Sequence, residues 1–152
     1  PSEIFTRPLS KFVARFTGDN NIFAGTITSA VQDTSSQLIK LNVPGLGTLL
    51  GLGDYAQVGA EAACCIRADL MQIKSPAEAE TSACGPATNR VTARITAVEF
   101  TGYVTRVSLV LERSGMEVLY KARTPDWLTT PFTEGQVVVL DWATADCVFL
   151  PH

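Results

Sequence analysis

Asn89-Arg90-Val91-Thr92-Ala93-Arg94-Ile95-Thr96-Ala97 alternates apolar and polar side chains at every second position. Side chains alternate across a strand, so Val91, Ala93, Ile95 and Ala97 face one way, and Arg90, Thr92, Arg94 and Thr96 the other. The pattern predicts a strand with one face in a core. It recurs 68 residues upstream, where Asn21-x-Phe23-x-Gly25-x-Ile27 lines up with Asn89-x-Val91-x-Ala93-x-Ile95. Each copy leads into further short alternating segments. In the first, Ile39, Leu41 and Val43 alternate with Lys40 and Asn42, the Gly/Leu-rich run Gly45 to Gly53 predicts short strands with close backbone approach, and Ala62 to Ile66 predicts a buried strand. In the second, Val107, Leu109 and Leu111 precede the turn Arg113-Ser114-Gly115; Met116, Val118 and Tyr120 follow, and Val137 to Leu140 closes the half. Each half carries a glycine, Gly59 or Gly135, ahead of its last apolar strand. Short strands repeated with turns predict an all-β fold of two OB-like small Greek-key barrel halves, about 19–74 and 88–152.

The intervening residues 75–88 are rich in Pro, Ala, Ser, Thr and Glu without apolar periodicity, which predicts a linker. Thr124 to Gly135 also reads as a loop, with Trp127 between Pro125 and Pro131 plugging a barrel end. Arg90, Arg94 and Arg106 are expected on wetted strand faces. Phe100-Thr101-Gly102-Tyr103 predicts a tight turn with positive φ at Gly102. Residues 8–16 carry the helical pattern: Leu9, Phe12, Val13 and Phe16 fall on one face, Pro8 suits the first turn and Gly18 the stop. So short a helix needs a surface to dock on. Its apolar face predicts pairing with a second copy.

With 46% hydrophobic and 18% charged residues, the chain can bury a core. Its formal charge of −3, with no basic stripe, argues against a nucleic-acid binder, which would need a cationic groove and stacking aromatics. Pro1-Ser2-Glu3-Ile4 shows no charged leader followed by an apolar stretch, so no secretory signal is expected. No apolar run has bilayer-crossing length. Cys64, Cys65, Cys84 and Cys147 include no C-x-x-C, and His152 is the sole histidine, so no zinc site is expected. Adjacent Cys64 and Cys65 read as buried, reduced thiols. Gly45-Leu46-Gly47-Thr48-Leu49-Leu50-Gly51 is followed by Leu52 and Gly53, not the Lys and Ser/Thr of a phosphate loop. Glu78, Glu80, Asp126, Asp141 and Asp146 read as solvated surface charge. No nucleophile–base pair is visible, and no catalytic or metal site is expected.

Pro1-Ser2-Glu3-Ile4-Phe5-Thr6-Arg7-Pro8, then Phe12-Val13-Ala14-Arg15-Phe16-Thr17-Gly18 and Asn21, resembles a junction in ABC importer ATP-binding subunits of the polyamine, iron and sugar type. There the ATPase domain ends and the accessory β-domain called TOBE begins. Asn21-Ile22-Phe23-Ala24-Gly25-Thr26-Ile27 is similar to that domain's first strand, Phe100-Thr101-Gly102 to its turn in the second half, and Gly135 through Trp142 to its closing strand. Cys65-Ile66-Arg67-Ala68-Asp69 is similar to its I-R-P-E element, with Ala68 and Asp69 in place of Pro and Glu.

The resemblance implies that residues 1–18 are the junction helix from an ATPase domain and 19–152 a TOBE-like domain. It also implies an accessory, regulatory and dimerising role on the cytoplasmic face of the inner membrane. The expected partners are a second copy, the upstream ATPase domain and, through it, the membrane subunits. No cofactor is expected in this chain, because ATP and Mg²⁺ would bind the ATPase domain. An alternative is a free-standing oxyanion binder of the molybdate type, in which Thr88, Asn89, Arg90 and Gly102 form a ring at a subunit interface. The residues singled out for ligand binding or regulation are Arg67, Asp69, Thr88, Asn89 and Gly102, with an Arg67–Asp69 salt bridge as the plainer role for the first two.

Overall fold

A computed structural model describes residues 19–33, 36–53, 57–81 and 88–149. The junction helix expected at 8–16 lies outside the described residues. The chain is all-β and OB-like, in two lobes. The first lobe runs β1 (Asn20–Asp33), β2 (Ser36–Val43), β3 (Gly47–Gly53) and β4 (Glu61–Arg67). A 3-10 turn at Ala68–Leu70 then leads to β5 (Gln72–Lys74) and α1 (Pro76–Thr81). The second lobe runs β6 (Thr88–Thr101), β7 (Val104–Leu111), β8 (Glu117–Arg123), α2 (Thr124–Thr129) and β9 (Val137–Ala143). A second 3-10 turn, Thr144–Asp146, leads to β10 (Val148–Phe149).

The fifth strands are exchanged. β10, from the end of the second lobe, completes the first as a closed barrel of order β1-β2-β3-β10-β4. β5, from the end of the first, joins the second as the edge of a sheet ordered β5-β9-β6-β7-β8. The two lobes repeat each other in detail. β1 and β6 are each 14 residues long, and their registers break after Ile27 and after Ile95. At each break the extra residue is a threonine whose hydroxyl donates across the pair, Thr28 Oγ1 to Lys40 O (3.4 Å) and Thr96 Oγ1 to Ser108 O (3.1 Å). Gly59 N–H donates to Ile27 O, and Gly135 N–H to Ile95 O. A bulge residue is unpaired and turns the strand, which corrects one expectation. Past Ile95 the alternation slips, so Ala97 is exposed and Val98 packs on the core instead.

One core runs through both lobes. Phe23 of β1 stacks on Trp142 of β9 with centroids 5.8 Å apart and planes 7° from parallel. Two buried asparagines lock the lobes reciprocally. Asn21 accepts Leu119 N–H and donates to Leu119 O, both at 2.8 Å; Asn89 accepts Leu50 N–H (2.8 Å) and donates to Leu50 O (2.7 Å). Each primary amide thus copies the paired donor and acceptor of a neighbouring strand, and satisfies a backbone edge that water would otherwise have to reach.

The lobes part at the seam. In the first, Leu52 N–H donates to Cys147 O at 3.0 Å and Val148 pairs with Leu52 in parallel. β10 comes this close because β3 carries Gly51 and Gly53: a Cβ on Gly51 would lie 2.6 Å from Phe149 Cε2 and 2.8 Å from Cys147 O. Gly51 lies opposite Ile39 and Gly53 opposite Gln37; at the same register of the second lobe stand Tyr120, opposite Val107, and Ala122, opposite Thr105. There β5 pairs only with β9, and the seam stays open.

Two segments expected as loops are helical. Ser75 Oγ accepts Glu78 N–H while Glu78 Oε1 accepts Ser75 N–H, both at 3.1 Å, and Pro76 occupies the first position: a reciprocal cap that starts α1 inside the linker. α2 starts at Thr124-Pro125 and buries Trp127 against Tyr120 and Phe132. Cys64 and Cys65 are interior, as expected, and Cys147 is buried beside them.

Candidate functional site

The strand exchange creates two related clefts where a 3-10 turn meets the incoming strand of the other lobe. The larger, about 590 Å³, has Cys65, Leu70, Ala145 and Val148 as its apolar lining, with Asp19, Asn20, Arg67, Asp69, Lys121 and Asp146 supplying polar groups. β4 ends at Arg67, and the turn that follows returns Asp69 to it. The two side chains form a 2.8 Å salt bridge and both are solvent-exposed. Across the cleft Asp19 sits between Arg106 (3.1 Å) and Lys121 (3.3 Å). The hydrogen bond from Arg106, reinforced by Lys121, holds its carboxyl below the ordinary aspartate value. Asp146 has no ion-pair partner among the described residues. On the floor, Cys65 Sγ donates to Asn20 Oδ1 at 3.4 Å. Burial pushes its thiol up to about 11, so it stays protonated at neutral pH and is no nucleophile.

The counterpart cleft, about 220 Å³, includes Leu70, Gln72, Thr88, Asp141 and Asp146. Here the structure overturns the solvated readings of Arg90 and Asp141. Asp141 on β9 is 3% exposed. It accepts Arg90 Nε (2.7 Å) and Nη2 (3.0 Å) as well as Lys74 Nζ (2.8 Å), while Arg90 Nη1 donates to Ala79 O at 2.9 Å. Burial opposes ionisation of Asp141, yet the two cations outweigh it and hold the pKa below the ordinary value. The carboxylate thus ties β9 to β6 and to the lobe-crossing β5, and the Arg90 guanidinium extends the link to α1. Arg94 and Arg106 do lie on exposed faces, paired with Glu112 and Asp19.

Of the residues singled out from sequence, Arg67 and Asp69 meet at the larger cleft, and Thr88 opens β6 on the rim of the smaller one. Asn89, the next residue, points to the opposite face and serves the inter-lobe lock. Gly102 lies thirteen residues further along the chain in the β6–β7 turn, with φ +74° as expected, and its carbonyl accepts Thr124 Oγ1 at 2.9 Å. Within one chain, Thr88, Asn89 and Gly102 therefore do not converge. Sequence reasoning missed Asp19, Lys121 and Asp146, which reach the larger cleft from three separate elements and share no local motif. The clefts offer paired charges over an apolar floor, an arrangement for binding. Among the described residues no group of three His, Cys, Asp or Glu side chains is placed to hold a metal, and no helix is long and apolar enough to cross a membrane.

Residues 64–150 match the TOBE domain family. A 74-residue stretch is 28% identical to the spermidine/putrescine import ATP-binding protein PotA of Fusobacterium nucleatum, covering 48% of this chain and 19% of PotA; the match thus spans about a fifth of that protein's length. The crystal structure of the cytoplasmic molybdate-binding protein ModG, with molybdate bound, superposes with a TM-score of 0.75 at 15% identity. That superposition covers 86% of this chain and 96% of ModG, so both have the same two-lobed fold. With more than half its length matched to the family, the chain belongs to the TOBE domain family.

Proposed function

We propose that the chain is the accessory, regulatory and dimerising domain of the ATP-binding subunit of an ABC importer for a small solute such as a polyamine or iron. The observation that carries the reading is the TOBE match over 64–150 together with the likeness to PotA, an import ATP-binding protein. On this reading ATP and Mg²⁺ bind an ATPase domain joined ahead of residue 19. A second copy pairs through the apolar face of residues 8–16, and the subunit works beneath the membrane subunits on the cytoplasmic side. The domain itself is no enzyme. Its interlocked lobes and the paired charges around Arg67 suit a body that transmits contact, and the clefts lack a nucleophile–base pair.

The oxyanion reading has the two-lobed fold of ModG in its favour. Against it, Asp19, Asp69 and Asp146 bring carboxylates to the larger cleft, and Arg90 is committed to Asp141. The cleft's cations, Arg67 and Lys121, are already balanced by Asp69 and Asp19, and Asp146 adds a further negative charge, which disfavours a dianion.

Replacing the C-terminal segment of a PotA-type subunit with this chain tests the proposal. The chimaera is expected to assemble and to support ATP-driven uptake, whereas the truncated subunit is not. A chimaera that assembles but behaves like the truncation sinks it. In parallel, calorimetry of the chain with Mg-ATP and with molybdate should show no binding heat. Micromolar molybdate binding with a raised melting temperature would move the assignment to the oxyanion class.

A further inference from the structure

The open seam of the second lobe leaves a cavity of about 200 Å³ between α1, β8 and α2, walled by Tyr120, Trp127 and Phe132. The Trp127 ring lies 6.3 Å from Tyr120 and 6.0 Å from Phe132, tilted by 46° and 57°. The rings therefore form adjoining walls rather than a stack. Ile73 of β5 and Ala122 of β8 complete the apolar lining, and Glu78, Asp126 and Thr130 bring oxygens to it. Asp126 is already neutralised by Arg123 at 2.8 and 3.3 Å. Glu78 accepts only the Ser75 N–H and has no cationic partner among the described residues. Burial, with the charge of Asp126, also holds the Tyr120 phenol above its ordinary pKa, so the ring stays neutral.

The first lobe shows that this room is specific to the second. There Phe149, the counterpart of Ile73, lies against Gly51, the counterpart of Tyr120. The same space is filled by the protein's own ring.

We propose that this cavity binds a compact quaternary ammonium group, such as the head of a trimethylalkylammonium compound. Aromatic faces attract a cation electrostatically, and methyl groups suit walls of carbon. A quaternary head group donates no hydrogen bond, so it can lie against the ring faces without an acceptor set opposite each N–H, as a primary ammonium would require. The volume lies below that of drug-sized pockets and fits a head group. Glu78 supplies the balancing charge.

The test titrates tetramethylammonium and choline into the whole chain at constant ionic strength, following the Trp127 indole N–H by NMR. 3,3-Dimethylbutan-1-ol, the neutral carbon analogue of choline, is the control. Saturable shifts are expected with both cations, and the neutral analogue should bind about tenfold more weakly. Glu78→Gln keeps the cap on Ser75, since Gln serves that role too, and should weaken both cations several-fold at unchanged melting temperature. Tyr120→Leu should abolish the shift. If that variant does not fold, Tyr120→Phe, which keeps the ring, should bind as the parent does and Glu78→Gln carries the test. No saturable shift with either cation on folded protein, or equal affinity for the neutral analogue, overturns the proposal.

Discussion

The first lobe closes its barrel where the second does not, although the strands follow the same order with bulges at matching threonines. The difference comes down to what stands on the third strand. Gly51 and Gly53 let β10 and the Phe149 ring come within contact of the backbone; Tyr120 and Ala122 at the same register carry side chains there. Topology is thus set by the shared alternation, and closure by two side chains. What lies beside each third strand follows from this: Phe149 in one lobe, an aromatic-walled cavity in the other.

Giving the first lobe the second lobe's residue is the most severe way to break the comparison. Gly51→Tyr must displace Phe149 and the Cys147 carbonyl, and overpacking against backbone should cost about 3 kcal/mol or more. The check is the urea midpoint, together with amide exchange at Leu52, whose N–H bonds to Cys147 O. An unchanged midpoint would remove the glycines as the cause of closure.

The second lobe should suffer comparably from Arg90→Met, which strips Asp141 of its bidentate partner and leaves only Lys74; we expect a loss of about 3 kcal/mol. The first lobe offers no equivalent network, since Ile22 and Cys65 hold those positions. Asp141 also links stability to pH. Its folded-state pKa is depressed, so its contribution is present above the ordinary aspartate value and is lost as pH falls through that value toward the folded one. Asp141→Asn should therefore flatten the acid limb of a stability–pH curve below about pH 4 and leave the slope at neutral pH alone.

Asn21→Ala and Asn89→Ala probe what the lobes share. Each leaves a backbone N–H and C=O in a part-buried setting without its partner, at about 2 kcal/mol. The two values should agree to within about 0.5 kcal/mol, because each asparagine makes the same pair of backbone hydrogen bonds and only Asn21 adds a weak bond to Met71 Sδ. A large inequality in thermal unfolding would show that one lock is incidental. Gly102→Ala should have the smallest effect, about 1 kcal/mol, since only the positive φ is strained and a Cβ would meet open space. A loss well above that would point to a contact made by the β6–β7 turn.

The alternation in Asn89 to Ala97 and its echo at Asn21 were enough to read the strands and the two-lobed repeat, because burial of one face imposes period two. The bulges were not readable. Nothing in Ile95-Thr96-Ala97 announces the extra residue, so simple alternation puts Ala97 on the wrong face. α1 was readable in principle from Ser75-Pro76-Ala77-Glu78, but a six-residue helix with one buried residue, Ala79, produces no apolar period. At the candidate site Arg67 and Asp69 were legible because they lie two residues apart. Asp141 was not: its partners Arg90 and Lys74 are 51 and 67 residues distant, brought to it by pairing and strand exchange. Local chemistry is written locally. The exchange of β5 and β10 is a global solution and leaves no short motif.

That exchange has a consequence for how the protein is made. β10 is translated about 80 residues after β4, yet it is the piece that closes the lobe to which β4 belongs. Domains ordinarily fold in the order in which they emerge from the ribosome. Here the first lobe must wait with an unpaired strand edge until Val148 and Phe149 are added, and that edge is the kind of surface other chains can capture. A nascent chain stalled anywhere before Val148 therefore exposes the open edge of its first lobe, however long ago that lobe was synthesised.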